Sequence, residues 1–266
     1  MLAELGLDMA VDFEVSEEGI ALITINRPER LNAMDAEHYQ ALSRSWRMVR
    51  DDAAIRVAIV TGAGDRSFTT GADIKSFLTA PPDLSEMWLT QRDQLLNRGL
   101  EVWKPVIAAV NGYCLGGGMT LLMATDIRVA TSNATFSLAE VKRGVIAGNG
   151  GTQRALDQLP YAIAMEMLLT GEAIDAETAA RWGLVNKVVP RADLLDTAYA
   201  YARKIAANAP LAVQAAKELA VRSREMDRTT GLRFEAVINR MLSMTEDAKE
   251  GPMAFAAKRA PDFKGR

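Results

Sequence analysis

The sequence predicts an α/β core followed by a helical C-terminal region, and three features of the chain lead to this class. Short apolar runs without polar interruption recur along it, which is typical of buried strands. These runs alternate with segments of another kind, in which the apolar residues are spaced three and four apart, as on one face of a helix. Beyond the last apolar run, helical segments follow one another directly. Repeated βα pairing before an all-helical end indicates an α/β core with a helical tail.

The predicted elements follow from apolar spacing and from residues that start or stop helices. A polar turn joins the first two strands, Asp35 and Asp175 mark helix starts, and Gly171 marks a helix end. The predicted strands are 13–15, 20–25, 57–61, 106–110, 127–130 and 184–189. The predicted helices are one after Asp35 that carries Leu42, Trp46 and Val49, and the segments 84–103, 119–124, 161–170, 176–181, 194–208, 210–224 and 231–244.

Composition excludes several classes of function. The 266 residues carry a net charge of −3 and no block of lysine or arginine, which argues against nucleic-acid binding. The single cysteine, Cys114, excludes an internal disulfide framework and a multi-cysteine zinc site. The single histidine, His38, disfavours a Ser-His-Asp or Cys-His nucleophile. Because it lies in the first turn of a predicted helix, we expect a surface or cap histidine.

The N-terminal segment and the apolar runs bear on where the protein works. Acidic residues interrupt the segment 1–13, which has no basic start and therefore does not resemble a secretory signal. None of the apolar runs approaches the length needed to cross a bilayer. We therefore expect a cytoplasmic protein that has neither a membrane nor a nucleic acid as its partner.

Two glycine-containing turns follow predicted strands, and both could direct backbone N–H groups outward. One contains Gly116, Gly117 and Gly118 and leads into a predicted helix, and the other is the segment Gly71-Ala72-Asp73-Ile74. Open amides at a helix start attract negative charge, because they have no partner within the helix. Neither turn fits a phosphate-binding P-loop. The simpler alternative for each is a turn without a binding role.

Glu140 is the acidic residue whose surroundings favour a chemical role. It lies between short apolar segments rather than in a run of solvated charges. The alternative is an ion pair with Lys142 or Arg143, which follow closely in the sequence. The sequence by itself leaves both interpretations open.

Six motifs follow one another along nearly the whole chain. They are Asn26-Arg27-Pro28, Gly71-Ala72-Asp73-Ile74, the segment 109–118, Ala139-Glu140, the segment 148–154 and the segment 254–259. With these motifs in this order, residues 11–266 resemble the crotonase family, which contains the enoyl-CoA hydratases and enoyl-CoA isomerases.

The resemblance implies a crotonase-type spiral of ββα units with a C-terminal helical oligomerisation region. It divides the chain into an acyl-CoA-binding core, residues 1–200, and a helical trimerisation region, residues 201–266. It also implies a homotrimer or a dimer of trimers. The substrate would be an acyl-CoA thioester, with coenzyme A carried as part of the substrate, no separate cofactor and no metal.

Members of the family hold the thioester oxygen between two backbone N–H groups, which here fall on Ala72 and Gly117. Small residues suit this role, because Cβ atoms would crowd the close approach. The bound thioester becomes enolate-like in the transition state, and donors that are fixed beforehand stabilise its charge. The same oxyanion hole supports several reactions, so the acid and base residues choose among them.

Hydratases of the family carry two glutamates, of which one matches Glu140 and the other would lie where this chain has Thr120. A threonine hydroxyl can hold a water molecule but cannot take its proton at neutral pH. Alternatively, Thr120 is a residue of the helix start with a satisfied hydroxyl. Gly148 matches the position whose N–H helps to hold the water. A single glutamate suits the transfer of one proton between two carbons, so the resemblance favours double-bond isomerisation over fast hydration.

Two other functions stay open. The segment 246–266 also resembles the tails of hydratases and of carnitinyl-CoA dehydratases. One alternative is therefore 2-enoyl-CoA hydratase or carnitinyl-CoA dehydratase-like activity. The other, from a different class, is a catalytically weak acyl-CoA-binding scaffold subunit.

The resemblance also implies where coenzyme A and the acyl chain bind. Phe255 and Lys258 match positions that contact the CoA nucleotide, often from the adjacent subunit. Their alternative is a last helix with an apolar face and a solvated lysine. Arg27 is a second candidate for the CoA phosphates, since a cation there could face them. The other predicted contacts are Thr70, Asp73 and Ile74 for CoA, and Leu84, Met87 and Trp88 for the acyl chain.

Overall fold

The main sheet has six strands and forms the centre of the fold. The computed structural model describes residues 10–79, 94–97 and 99–266, with only the backbone of residues 77–79. Its strands are Val11–Val15 (β1), Ile20–Ile25 (β2), Val57–Gly62 (β3), Val106–Val110 (β5), Ile127–Thr131 (β7) and Lys187–Val189 (β10). They lie side by side in this order and are parallel except for β1 and β2, which pair antiparallel.

A second sheet of very short strands carries the glycine-containing turns. Its order is β4-β6-β8-β9, and its strands are Ser67–Thr69 (β4), Tyr113–Leu115 (β6), Thr135–Ser137 (β8) and Ile174–Asp175 (β9). Each of β3, β5 and β7 in the main sheet is followed by a strand of this second sheet. The repeated alternation winds the chain into the spiral of ββα units that the resemblance implies, and it places the ends of β4 and β6 next to each other.

The helices confirm most of the predicted segments and their caps. The side chain of Asp35 accepts from the His38 amide, and that of Asp175 accepts from the Thr178 amide. Gly171 ends its helix in the left-handed conformation. The helices are Ala36–Asp51 (α1), Ile74–Thr79 (α2), Gly117–Leu122 (α3), Gly151–Gln158 (α4), Tyr161–Thr170 (α5), Ala176–Arg181 (α6), Leu194–Ala206 (α7), Pro210–Arg222 (α8), Arg228–Leu242 (α9) and Glu246–Ala256 (α10).

The predicted helix 84–103 is wrong where the structure describes it. Within 94–97 and 99–103 the chain forms a turn with a bridge between Leu95 and Gly99, and Gly99 has a φ of 75°. That backbone conformation suits glycine and is incompatible with a continuous right-handed helix. Leu95 and Leu100 are nevertheless buried, so their apolar character reflects packing rather than helical periodicity. The remainder of the predicted helix lies outside the described residues.

Both faces of the main sheet are covered at its central strands, which explains why β3 and β5 are almost entirely apolar. On one face Ala21, Ile23 and Val60 pack in the same cluster as Trp46 of α1. On the other face, Ile59 and other strand residues pack with residues of α7 spaced four apart, namely Leu194, Ala198, Ala202 and Ala206. The division predicted after residue 200 therefore falls within α7, whose buried stripe lies on the sheet to its end.

The C-terminal helices differ from α7 in their burial. Neither α8 nor α9 has a buried residue in the described chain. Large apolar side chains on α9 are more than half exposed, including Leu232, Val237 and Met241. In the described part of the chain, none of the helices is both long and apolar enough to span a membrane.

Candidate active site

The two glycine-containing turns meet at the edge of the small sheet. Gly71 follows β4 with a φ of 86°, and Gly117 begins α3 after β6. A Cβ atom placed on Gly71 would lie 2.5 Å from the Gly117 nitrogen, and one on Gly117 would lie 3.5 Å from the Ala72 nitrogen. The two segments touch through their main chains, which requires glycine at position 71 for space as well as for conformation.

The amide groups of Ala72 and Gly117 are available to a ligand. Among the described residues, neither nitrogen donates a hydrogen bond. Met34 fixes the residues on either side of Ala72, because its N–H donates to the Gly71 carbonyl at 2.8 Å and its carbonyl accepts from the Asp73 N–H at 2.8 Å. On the other segment, the Gly116 N–H donates to the Ser137 carbonyl at 2.9 Å. Both donors are therefore held by neighbouring main-chain bonds before a ligand binds.

Glu140 lies beside this pair of donors. It begins a 3-10 turn, Glu140–Arg143, that follows β8. Its Oε1 would be 3.6 Å from a Cβ atom on Gly116, and its buried Oε2 has no hydrogen-bond partner among the described residues. Burial raises the pKa of the Glu140 carboxyl, while a hydrogen bond from its own main chain and the charge of Arg143 offset this only in part. A half-buried carboxyl group with a free buried oxygen and a raised pKa is suited to accept and return a proton.

The alternative ion pair of Glu140 is not formed. Lys142 instead lies 2.7 Å from the Glu172 carboxylate, and Arg143 donates to the Ala139 carbonyl at 3.1 Å. The nearest candidate cations are thus directed elsewhere, which leaves the Glu140 carboxyl facing the donor turns. In the described part of the chain, no group of three or more His, Cys, Asp or Glu side chains is arranged to hold a metal ion.

The Thr120 hydroxyl is bonded within the protein both as a donor and as an acceptor. It donates to the Gly117 carbonyl at 3.0 Å and accepts from the Asn97 side-chain amide at 3.0 Å. Its methyl group would lie 2.7 Å from a Cβ atom on Gly151, so α4 packs closely against it. Thr120 is 2% exposed and has the satisfied hydroxyl that the sequence left as one alternative. Its hydrogen cannot be donated to a catalytic water without breaking the bond to Gly117.

Asn97 is a site residue that the sequence analysis missed. Its Oδ1 is buried without a hydrogen-bond partner among the described residues, although its Nδ2 binds Thr120. With Tyr39, Gly117 and Asn149 it lines a cavity of about 10 Å³, close to the volume that one water molecule needs. Asn97 lies in the segment wrongly predicted as helix, and a hydrogen bond to Thr120, which is 23 residues away in the sequence, places it at the site.

Replacing Thr120 by Val should destabilise the protein without a large change in packing volume. The substitution leaves the Asn97 amide and the Gly117 carbonyl without their partner, at a cost of about 1–3 kcal/mol in the free energy of unfolding. Thr120→Ser keeps the hydroxyl and loses only the methyl group, so it isolates the hydrogen bonds. Equilibrium denaturation of both variants measures the difference. Equal losses in the two would contradict the bonding described for this hydroxyl.

Gly148 lies in the loop that connects Glu140 to α4. The Val145 N–H donates to the Glu140 carbonyl at 3.3 Å, and the Gly151 N–H donates to the Gly148 carbonyl at 2.9 Å. A Cβ atom on Gly148 would meet nothing within 4 Å, so this glycine faces open space. The loop therefore begins at Glu140 and ends against Thr120, and Gly148 lies on its exposed part.

The predicted CoA contacts divide into two separate groups. The first lies on the donor turn: the Thr70 hydroxyl donates to the Leu31 carbonyl at 3.4 Å, Asp73 pairs with Arg27 at 3.0 Å, and Ile74 is half exposed. The second lies at the end of α10. Phe255 is 86% exposed there, and Lys258 has a left-handed φ of 52°. In the described residues, no hydrogen bond or ion pair joins the two groups. The acyl-chain candidates Leu84, Met87 and Trp88 lie outside the described residues.

His38 is buried rather than on the surface. It is 5% exposed, and its Nδ1 lies 2.7 Å from Asp35 Oδ1. Of the two places expected for His38, surface and helix cap, the surface is wrong, because this side chain faces inward while Ala36 and Glu37 of the same turn are exposed. Its place at the helix cap is confirmed, since its main-chain N–H donates to Asp35 at 3.3 Å.

Comparison with known proteins gives consistent matches over almost the whole chain. The sequence profile of the family described as "Enoyl-CoA hydratase/isomerase" matches residues 15–266. An (E)-benzylidenesuccinyl-CoA hydratase of Thauera aromatica is 47% identical over 259 residues, which cover 97% of this chain and 100% of that protein. A carnitinyl-CoA dehydratase of Salmonella typhi is 41% identical over 92% of this chain and 94% of that protein. The crystal structure of an enoyl-CoA hydratase from Mycobacterium marinum superposes with a TM-score of 0.88 at 39% identity, covering 97% and 100% of the two chains.

Proposed function

The chain belongs to the enoyl-CoA hydratase/isomerase family, and we propose that it reversibly hydrates a 2-enoyl-CoA thioester with Glu140 as its one proton-transferring carboxyl group. One observation carries the proposal: a buried carboxyl oxygen without a partner lies beside two free main-chain amides. The relatives named for water chemistry support hydration, because a hydratase and a dehydratase both match over more than nine tenths of this chain.

In the proposed mechanism, the Ala72 and Gly117 amides donate to the thioester oxygen. Water adds its oxygen to the β-carbon as Glu140 accepts a proton from it, and the electron pair of the double bond moves onto the thioester as an enolate. The two amides stabilise that enolate, and losing one such donor typically costs about 3–4 kcal/mol of transition-state stabilisation. Glu140 then returns the proton to the α-carbon, which yields the 3-hydroxyacyl-CoA and restores the carboxylate.

Double-bond isomerisation, which the sequence analysis favoured, is the second candidate. Thr120 occupies the position of the second glutamate with a hydroxyl that is bonded to Gly117 and Asn97, so it cannot act as a second base. Moving one proton from the α-carbon of a 3-enoyl-CoA to its γ-carbon needs a single carboxyl group and no water. The same donors would stabilise the same type of enolate.

Direct assays with the native protein separate the candidates. Crotonyl-CoA, (E)-benzylidenesuccinyl-CoA and a 3-enoyl-CoA should each be tested with ¹⁸O-labelled water and mass spectrometry to detect water addition, and carnitinyl-CoA should be tested for the reverse loss of water. Hydration requires label in the product of at least one 2-enoyl substrate, and we expect crotonyl-CoA to be slower than a substituted substrate. Conversion of the 3-enoyl-CoA alone, without label, would replace hydration by isomerisation. Binding of acyl-CoA without turnover of any substrate would favour the scaffold subunit.

We also propose that the helical tail assembles the chain into a homotrimer or a dimer of trimers. The support is the apolar surface of α9, where Leu232, Val237 and Met241 are more than half exposed. In such an assembly Phe255 and Lys258 would contact the CoA nucleotide of an adjacent subunit. The ammonium group of Lys258 would face a phosphate, and the exposed Phe255 ring would pack against the base.

A further inference from the structure

Carboxylates surround the guanidinium group of Arg27. Its Nη1 atom lies 3.0 Å from Asp73 Oδ2 and 3.3 Å from Asp35 Oδ2, and it also donates to the Ala33 carbonyl at 3.2 Å. Its Nε atom lies 3.8 Å from Glu29 Oε1. The single positive charge therefore faces three negative ones, which makes the place unfavourable for an added phosphate.

The two carboxylates nearest to Arg27, those of Asp35 and Asp73, lie on two chain segments that meet beside the Ala72 N–H group. Asp35 is the N-cap of α1, and Asp73 directly follows Ala72. Met34, the residue before Asp35, forms main-chain hydrogen bonds to Gly71 and Asp73, the residues on both sides of Ala72. Arg27 adds a side-chain link between these two segments. Its bond to Asp73 joins residues that are 46 positions apart in the sequence.

The second oxygen of Asp35 is also fixed. Asp35 Oδ1 lies 2.7 Å from the Nδ1 atom of the buried His38 and accepts from the His38 main-chain N–H at 3.3 Å. Burial raises the pKa of Asp35, but the hydrogen bonds from His38 and the charge of Arg27 together hold it below the ordinary value. Asp35 is therefore an ionised and oriented partner for Arg27, which makes the link rigid at neutral pH.

We infer that Arg27 is a positioning residue for the oxyanion hole rather than a ligand of the CoA phosphates. It holds the segment that carries Ala72 against the start of α1, so that the Ala72 N–H stays beside the Gly117 N–H. The inference rests on the proposed function of those two amides. It differs from the role predicted for Arg27 from the sequence, and the chemistry of the substrate distinguishes the two roles.

The test compares a CoA thioester with the corresponding pantetheine thioester, which lacks the nucleotide and its phosphates. For a positioning role, Arg27→Met should lower kcat about 10- to 100-fold with both substrates, and Arg27→Lys should recover part of it. Asp73→Asn, which removes the other charge of the link, should act in the same direction. The matched control is Arg30→Met, an exposed arginine three residues away, which should leave kcat within about twofold. A rise of KM confined to the CoA thioester, with kcat unchanged, would overturn the inference and restore the phosphate role.

A binding measurement keeps this test independent of turnover. Acetoacetyl-CoA ionises to an enolate with its own near-ultraviolet absorption, so the bound enolate fraction reports the donors directly. Arg27→Met should reduce that fraction about tenfold while circular dichroism shows a folded protein. An unchanged enolate fraction in the folded variant would overturn the positioning role. If the native protein turns over none of the substrates yet binds the enolate, the proposed reaction fails and this inference still stands.

Discussion

Glu140→Gln is expected to lower turnover about 10²- to 10⁴-fold, the range that general acid–base catalysis contributes. The amide has nearly the shape of the carboxyl group but cannot accept a proton from water or from the α-carbon. The structure offers no replacement in the described residues around the donor turns, since Thr120 is already bonded on both sides. Steady-state kinetics on the best substrate measure the loss. Turnover within tenfold of the native value would refute the role of Glu140, whatever the reaction.

The loss should occur without a loss of stability. Burial raises the folded-state pKa of Glu140 above the ordinary value of 4.5, so the charged form is disfavoured in the folded protein. This penalty is absent at low pH, where the group is protonated in both states, and appears as the pH rises through the folded pKa. Glutamine removes it, and the variant should melt at the same temperature as the native protein or higher at pH 7. Glu172→Gln, which removes the exposed partner of Lys142, is the matched control and should keep full turnover.

The raised pKa of Glu140 should also determine how kcat/KM falls at low pH. Glu140 must be deprotonated to accept a proton, so kcat/KM should fall as the pH decreases through its pKa. The midpoint is expected above 4.5, the ordinary value for glutamate. A midpoint at or below that value would argue that another group supplies the base.

Gly71→Ala is expected to lower turnover about 10²- to 10³-fold, comparable to the removal of one oxyanion-hole donor. The new Cβ atom would lie 2.5 Å from the Gly117 nitrogen, so one of the two donor segments must move. The positive φ of 86° adds strain of order 1–3 kcal/mol in the folded state. For the same variant, steady-state kinetics report the displacement of the donors, and equilibrium denaturation reports the loss of folding stability.

Gly183→Ala provides the matched control for that substitution. Gly183 has a φ of 76°, close to that of Gly71, but a Cβ atom there would meet nothing within 4 Å. It should therefore show a similar loss of stability and retain native turnover. If both variants lost turnover equally, strain rather than displacement of the donors would be the cause. Native turnover in a folded Gly71→Ala protein would contradict the donor geometry.

The sequence predicted the centre of the main sheet well because strands β3 and β5 are buried on both faces. Runs such as Val106–Val110 contain no polar residue, and the helix caps at Asp35 and Asp175 depend only on residues three positions away. The strand Tyr113–Leu115 was missed, since three residues between glycine-containing turns carry no periodic signal. Its pairing with Ser67–Thr69 nevertheless brings the two donor turns together.

The contacts that define the candidate site are long-range, and this limited what the sequence could predict. Arg27 and Asp73 are 46 residues apart, and Asn97 and Thr120 are 23 apart. Residues this far apart in the sequence are not brought into contact by a helix turn or a hairpin. The family resemblance supplied Glu140, Ala72 and Gly117 as candidates, but the state of their surroundings came from the fold. The satisfied hydroxyl of Thr120 and the carboxylates around Arg27 are properties of packing.

The two main-chain donors and the Glu140 side chain differ in how easily a substitution removes them. The N–H groups at positions 72 and 117 are present with every side chain except that of proline, so other substitutions can remove them only by moving the backbone. The proposed proton-transferring group, Glu140, is by contrast one side chain on a short turn, and a single codon change alters it. A protein built in this way can lose or exchange its reaction while it retains its hold on the thioester. New activities on this scaffold can therefore arise in small steps, each starting from a chain that already binds its substrate.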